Sequence, residues 1–365
     1  MLLRLLKQFG RRGGAAPQAA TPPPPQRRFA DRLSLILPSV AGRGALFERA
    51  LRHLAACKVR WPVLVTDHSA PERAGELAAI AARYPQLDLK ILRHAPEAHF
   101  LERLVNCARA AGTQYVALHA DDDFMFPAGA EACIEYLDAH PDYAACKGRM
   151  AAFSVAKPPP GVSEWAELGT EAQGQAVTHI GRTRAEDDLA ARLLNHVANF
   201  NPTLYAVHRR EVFIDAYGRA REINENVIFW QYLASCLTLS RGKLRTLDEP
   251  YYLRLDNATG WRSQLIARRD PSHWPFLALA PDFSAQLAQF RSTLAELLLA
   301  PGNAALEREA LLDEACIWLL RRALCGSGRD PIEDYEKTFI SRLHTEGSAE
   351  HDLLRYCLQC VTQSA

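Results

Sequence analysis

Residues 115–124 read Tyr-Val-Ala-Leu-His-Ala-Asp-Asp-Asp-Phe, an apolar run that ends in three adjacent carboxylates. A short apolar run bounded by a polar cluster suits a buried strand. Three neighbouring carboxylates repel one another, and burial sharpens the repulsion. Asp121 and Asp123, two apart, face the same side if the backbone stays extended. Two hard oxygen donors on one side suit Mg2+ or Mn2+, whose remaining positions go to water and phosphate. A solvated acidic turn is the other reading of the same triplet.

Upstream of this stretch, strand-like and helix-like segments alternate. Leu33 to Leu37, Val63 to Thr66 and Leu87 to Leu92 read as strands, and residues 46–54, 72–83 and 98–111 as helices. That alternation predicts a parallel α/β sheet with right-handed crossovers over about residues 31–120. Ligands of such sheets bind beyond the carboxyl ends of the strands, where the Asp triplet falls. Asp67, at the end of the second strand, falls there too, as a contact for a nucleotide base or ribose or as a plain loop cap. Downstream, the pattern predicts helices over 128–139, 185–196 and 225–238. Extended segments follow at 143–148, 151–155, 203–208, 244–247 and 251–255, with a polar loop over 161–182. From 262 onward it is helical, at 283–299, 303–323 and 349–361.

Composition excludes several classes. Of 365 residues, 48% are apolar and 23% charged, which rules out a wholly disordered or fibrous chain. No apolar run reaches the roughly 18–20 residues that cross a bilayer. A net charge of +1 gives no support to a nucleic-acid binder. Residues 1–30 hold six basic and no acidic residues, which leaves the rest at −5. Residues 2–9 place Leu2, Leu5, Leu6 and Phe9 on one face of a short helix with basic residues opposite. This predicts weak contact with an anionic membrane, with a transit peptide or a featureless tail as the other readings, ahead of a Pro-rich linker. Nine cysteines, mostly in apolar stretches, suit a reducing compartment. A P-loop, the dinucleotide glycine fingerprint, HExxH, an EF-hand loop and a GxSxG elbow are all missing.

These residues resemble the GT-A glycosyltransferases, family 2-like. The likeness is carried by Leu35-Ile-Leu-Pro38-Ser39 with its following helix, by Val63-Leu-Val-Thr-Asp67, by Asn106 and by Tyr115 through Phe124. It continues through Pro127 and the helix leading to His140-Pro-Asp-Tyr143, and weakly through 201–209, 223–227 and 250–254. It implies a mixed, mostly parallel sheet flanked by helices. The expected division is a tail (1–30), a catalytic domain (31–261, insertion near 157–182) and a helical C-terminal region (262–365).

The function so implied is transfer of a sugar from a nucleotide-sugar to an acceptor hydroxyl on a glycan, a lipid-linked or another molecule, with inversion and with Mn2+ or Mg2+. Asp121 and Asp123 would hold the metal. Pro38, Ser39, Asp67, Asn106, Asp121 and Asp122 would contact the donor. Glu225, with Glu222 in reserve, would be the general base. Arg209 and Arg254 would meet phosphate or an anionic acceptor, and Trp230, Trp261 and Trp274 would stack on sugars, if they are not structural. The expected setting is cytoplasmic, peripheral at the inner membrane face if residues 2–9 bind there. The competing classes are a non-catalytic nucleotide-sugar or glycan binder, an Mg2+-dependent nucleotidyltransferase and a phosphohydrolase.

Overall fold

The computed structural model describes residues 29–154, 177–178, 182–223, 226–256, 281–297, 305–325, 342–343 and 345–362. The tail segment 2–9, most of the 157–182 insertion, Glu225, Trp261 and Trp274 lie outside the described residues.

The first part alternates as the sequence predicts: β1 (Leu33–Ser39), α1 (Gly44–Ala56), β2 (Val63–Asp67), α2 (Glu76–Ala81), β3 (Leu89–Arg93), α3 (Phe100–Ala110) and β4 (Tyr115–Leu118). There follow β5 (Phe124–Met125), α4 (Pro127–Ala139), β6 (Tyr143–Ser154), β7 (Val177–Thr178) and α5 (Leu189–Ala198). Next come β8 (Val207–Arg209), α6 (Arg210–Ile223), α7 (Val227–Arg241) and β9 (Lys243–Asp256). The last described helices are α8 (Phe283–Leu297), α9 (Ala305–Cys325) and α10 (Ala349–Thr362).

The strands form one mixed sheet of nine, in the order β3-β2-β1-β4-β8-β6-β9-β5, with β7 paired to β6. The first four are mutually parallel, β8 is inserted antiparallel between β4 and β6, and β6 runs parallel to β9. Alternate residues of the central strands feed two cores, as a period of two requires. Ile36, Leu64, Val116 and Leu118 face α3, α6 and α7. Leu35, Leu37, Val63, Val65 and Ala117 face α1 and α4. Helix α1 packs through Phe47, Ala50, Leu51 and Leu54, one apolar face at helical spacing.

The C-terminal helices are joined to these layers. Phe290 and Leu294 of α8 and Leu312, Ala315 and Leu319 of α9 share the core of α3, α6 and α7. Helix α10 closes a third core, placing Leu354, Cys357 and Leu358 against Phe124, Phe126, Phe153, Leu253 and Leu255. Among the described residues no helix is long and apolar enough to cross a membrane.

Several details differ from the sequence reading: β5 was not anticipated, and β7 falls inside the polar loop expected over 161–182. The helix expected over 72–83 is split: a 3-10 turn at Pro71–Arg73 precedes α2, because Gly75 takes φ +96° between them. The strand expected at 203–208 is a 3-10 turn (Thr203–Tyr205) followed by β8. Helix α6 was not anticipated. The paired short segments at 143–155 and 244–255 are two long strands, broken in register where Gly148 and Pro250 sit.

Candidate functional site

Strand β1 lies between β2 and β4, parallel to both. The chain leaves β1 for β2 and β3 on one side, then crosses back to β4 on the other. This is a topological switch point, and it opens a crevice at the strands' carboxyl ends. Pairing of β1 with β4 stops at Ile36↔Leu118, while pairing with β2 continues to Ser39↔Asp67. Pro38, half-buried, therefore sits where the β4 side of the ladder has already parted, a position that tolerates a residue without an N–H.

The two lips of the crevice are tied by charge. Asp121, 4% exposed, receives Arg43 as a fork: Nη2 donates to Oδ1 at 2.6 Å and Nε to Oδ2 at 2.9 Å. Ser39 Oγ donates to Oδ2 at 3.1 Å, and Arg43 Nη2 reaches Asp122 Oδ2 at 3.1 Å. These bonds to Asp121 hold the Arg43 guanidinium above its ordinary pKa. Arg49, from the second turn of α1, donates to the Asp122 carbonyl at 2.9 Å and lies over the Phe124 ring. The Tyr252 hydroxyl accepts from the Ala120 N–H at 3.0 Å. The triplet is thus a braced turn, not a solvated one.

Asp123 points the other way, inward. It is 3% exposed, and its Oδ1 accepts from the Leu255 N–H at 2.9 Å. Its Oδ2 faces Arg254 Nε at 3.8 Å, beyond hydrogen-bond reach. Desolvation pushes its carboxyl up to about 8, with Asp122 adding repulsion and Arg254 opposing. A buried carboxylate that Asp122 repels, and whose one counter-charge, Arg254, stands off at 3.8 Å, is a donor that a hard cation fits. Asp121 is different, since both its oxygens are already taken. Among the described residues no three His, Cys, Asp or Glu side chains converge as a metal cluster. A divalent ion here would rest on one or two carboxylates and on oxygens brought by a ligand, the usual habit of Mg2+.

Asp67 ties loops together. Its Oδ1 accepts from the Ser69 N–H at 2.9 Å and from the Ser69 hydroxyl, and its Oδ2 accepts from Arg93 Nη1 at 2.8 Å. Ser69 Oγ in turn accepts from the Ala41 N–H at 2.6 Å, which fastens the β2 loop to the β1 loop. His68 lies close by against Arg103 Nη1 at 2.6 Å. Asn106 is half-buried in the middle of α3. Glu222 is exposed in the last turn of α6. The neighbouring Arg221 bridges to Glu102 in the first turn of α3 at 3.1 Å. Since α3 starts beyond the carboxyl end of β3, the end of α6 lies at the crevice end of the sheet. Arg209 donates to the carbonyls of Tyr143, Leu137 and His140, and Trp230 is 4% exposed beside Phe100. Both are structural.

Reading the sequence as segments missed the role of Arg43. Its only local signal is a basic residue framed as Ala41-Gly-Arg-Gly44 after a strand, and its partner lies 78 residues away.

No protein-family model and no curated protein matches this chain. Solved structures do match, and the expected resemblance to glycosyltransferase structures is found among them. S. aureus TarS 1–349 in complex with UDP-GlcNAc matches at TM-score 0.48 and 14% identity, over 91% of this chain and 92% of that one. The mannosyltransferase PcManGT from Pyrobaculum calidifontis, in complex with GDP-Man and Mn2+, matches at 0.40 and 15%, over 98% and 91%. A longer S. aureus TarS structure matches at 0.43 and 15%, and this chain covers only 57% of its length. With such identities and with TM-scores below 0.5, these likenesses add nothing to the site beyond its own geometry.

Proposed function

We propose that this chain transfers a sugar from a nucleotide-sugar to an acceptor hydroxyl, with inversion at the anomeric carbon. The observation that carries the reading is the crevice between β1 and β4, where Ser39 and Arg43 converge on Asp121 at the switch point of the sheet, with the buried Asp123 two residues further along the same turn. Pro38, Ser39 and Asp67 shape the wall for the nucleoside, with Asn106 behind them on α3. Asp122 flanks the sugar-phosphate. Asp123, joined by Asp121, is the holder of Mn2+ or Mg2+, which when bound supplies Lewis-acid stabilisation of the diphosphate.

The step itself is a displacement. The acceptor oxygen forms a bond to the anomeric carbon and gives its proton to Glu225, or to Glu222 in its place. The bond from that carbon to the diphosphate oxygen breaks, and the electron pair leaves with the nucleoside diphosphate. Acceptors of this reading are a glycan, a lipid-linked or another hydroxyl compound. Residues 2–9 would rest the enzyme against the inner membrane face of the cytoplasm.

Calorimetric titration of a panel of nucleotides and nucleotide-sugars, in Mn2+, in Mg2+ and in EDTA, tests the reading. Micromolar binding that needs metal and is lost in Asp123→Ala supports it. Absence of binding by every nucleotide to the folded protein overturns it. Binding with no turnover in an acceptor screen leaves the non-catalytic binder of the same fold.

A further inference from the structure

We propose that Arg43 is the resident counter-ion of Asp121, which it releases when the donor arrives, and that its guanidinium then binds the donor's diphosphate. The release and the diphosphate contact rest on the function proposed above, and the counter-ion role does not.

Both oxygens of Asp121 are already engaged by donors. A carboxylate offers about four acceptor positions. Arg43 Nη2 and Nε and the Ser39 hydroxyl fill both oxygens, and the Arg43 contacts are in the fork geometry that is strongest between guanidinium and carboxylate. A divalent ion brought to Asp121 meets the positive charge of that guanidinium unless the fork opens. The two partners are unequal in their freedom to move. Asp121 sits in the braced turn with its side chain 5% exposed, whereas that of Arg43 is 27% exposed. Arg43 stands between Gly42, at φ +95°, and Gly44, immediately before the first turn of α1. The arginine is the partner that swings.

Its destination follows from its chemistry. A guanidinium that leaves one bidentate anion needs another, and phosphate oxygens match the same fork. The α1 first turn carries no acidic residue to recapture it. Asp122, already within 3.1 Å of Nη2, keeps the side chain at the mouth of the crevice. The exchange conserves charge: Asp121 trades a guanidinium for the cation, and Arg43 trades a carboxylate for the diphosphate. Without donor, the fork keeps a buried carboxylate paired, which is far cheaper than leaving it alone.

The experiment uses the full chain and two probes, Mn2+ alone and inorganic pyrophosphate in excess Mg2+. Mn2+ binding is followed by the electron paramagnetic resonance signal of the free ion, and pyrophosphate binding by calorimetry. Arg43→Gln is expected to bind Mn2+ alone at least tenfold more tightly than the parent chain, because Asp121 is freed. It is expected to bind pyrophosphate at least tenfold more weakly. Adding Asp121→Asn should cancel the gain in Mn2+ affinity. Arg241→Gln, an exposed arginine paired with Asp215 on α6, should change neither. Unchanged Mn2+ affinity in Arg43→Gln overturns the counter-ion half, and unchanged pyrophosphate affinity overturns the diphosphate half. If Arg43→Gln loses its helical signal, Arg43→Lys reads the same quantities, since it keeps the charge and breaks the fork. Tighter Mn2+ binding together with failure of every nucleotide in the panel would sink the donor reading while leaving the counter-ion role of Arg43 intact.

Discussion

Single residues in this chain carry charge into places where water does not follow. Lys147, on β6, is wholly buried, and its Nζ donates to Asn201 Oδ1 at 2.6 Å. Desolvation, helped by Arg184, lowers its pKa to about 7. An ordinary lysine in the unfolded chain titrates near 10.4. Between those values the unfolded state holds the extra proton, so stability contributed at this site rises with pH from about 7 to 10 and is at its lowest below 7. Lys147→Met removes the buried charge and forfeits the Asn201 hydrogen bond. It should therefore raise stability at pH 6 by on the order of 2 kcal/mol, the gain shrinking towards pH 10. Urea midpoints of both proteins at pH 6, 8 and 10 check this, and a gain that does not depend on pH would contradict it. The same scale shows what the sequence could disclose. The Asp triplet was legible because three charges after an apolar strand are locally conspicuous. Arg43 was not, since nothing near residue 43 announces a partner at 121. Asp67 was visible as a carboxylate at a strand end, but not as the knot between two loops, which only the pairing of Ser69 with Ala41 reveals.

At the scale of elements, strands β1 to β4 and their helices were legible because each obeys its own period. Helix α6 was missed although Phe213, Ala216, Tyr217 and Ala220 stand at helical spacing on its buried face, since Gly218 and the charges between them interrupt the apolar run along the sequence. Strands β6 and β9 hid their length behind Gly148 and Pro250, where their registers shift. These elements meet so closely that some positions cannot carry a side chain. A Cβ at Gly129, in the first turn of α4, would collide with the Pro250 carbonyl and come within 2.9 Å of the Tyr251 Cα. Gly218 in α6 has nothing within 4 Å of the same atom. Helix propensity alone favours alanine at both by about 1 kcal/mol. Packing decides the outcome: Gly218→Ala should stabilise by about 0.5–1 kcal/mol. Gly129→Ala should destabilise by about 2 kcal/mol or more, as overpacking does. Denaturant midpoints with unchanged m-values would establish both, and two changes of the same sign would refute the packing argument. Gly129→Ala also presses on the β9 segment that carries Tyr252 and the Leu255 N–H, so donor affinity should fall with it.

The whole molecule adds a dependence that no single element contains. The insertion of β8 antiparallel into a parallel sheet, and the return of the C-terminus to the front of the fold, are long-range pairings for which local periodicity carries no signal. Helix α10 was legible as a helix but not as a wall. It packs directly behind the Asp triplet, with Leu354, Cys357 and Leu358 on Phe124, Phe126 and Leu255, while the Tyr356 hydroxyl lies 3.4 Å from His53 Nδ1. His53 Nε2 is at 2.8 Å from the Met125 carbonyl, so α10 braces the segment just after Asp123 through α1. The Leu255 amide that holds Asp123 belongs to the strand that α10 covers. Loosening α10 should therefore reach the donor site without touching a residue of it. Leu354→Asp, which places a charge at a position 5% exposed, should lower stability by about 3 kcal/mol. At temperatures where the variant is still folded, its donor or pyrophosphate affinity should drop by about tenfold, some 1.4 kcal/mol. The control is Glu346→Asp on the exposed turn before α10, which should alter neither. A Leu354→Asp protein that is destabilised yet binds pyrophosphate like the parent chain would show that the third core supports the fold alone, and that the positioning of Asp123 ends at β9.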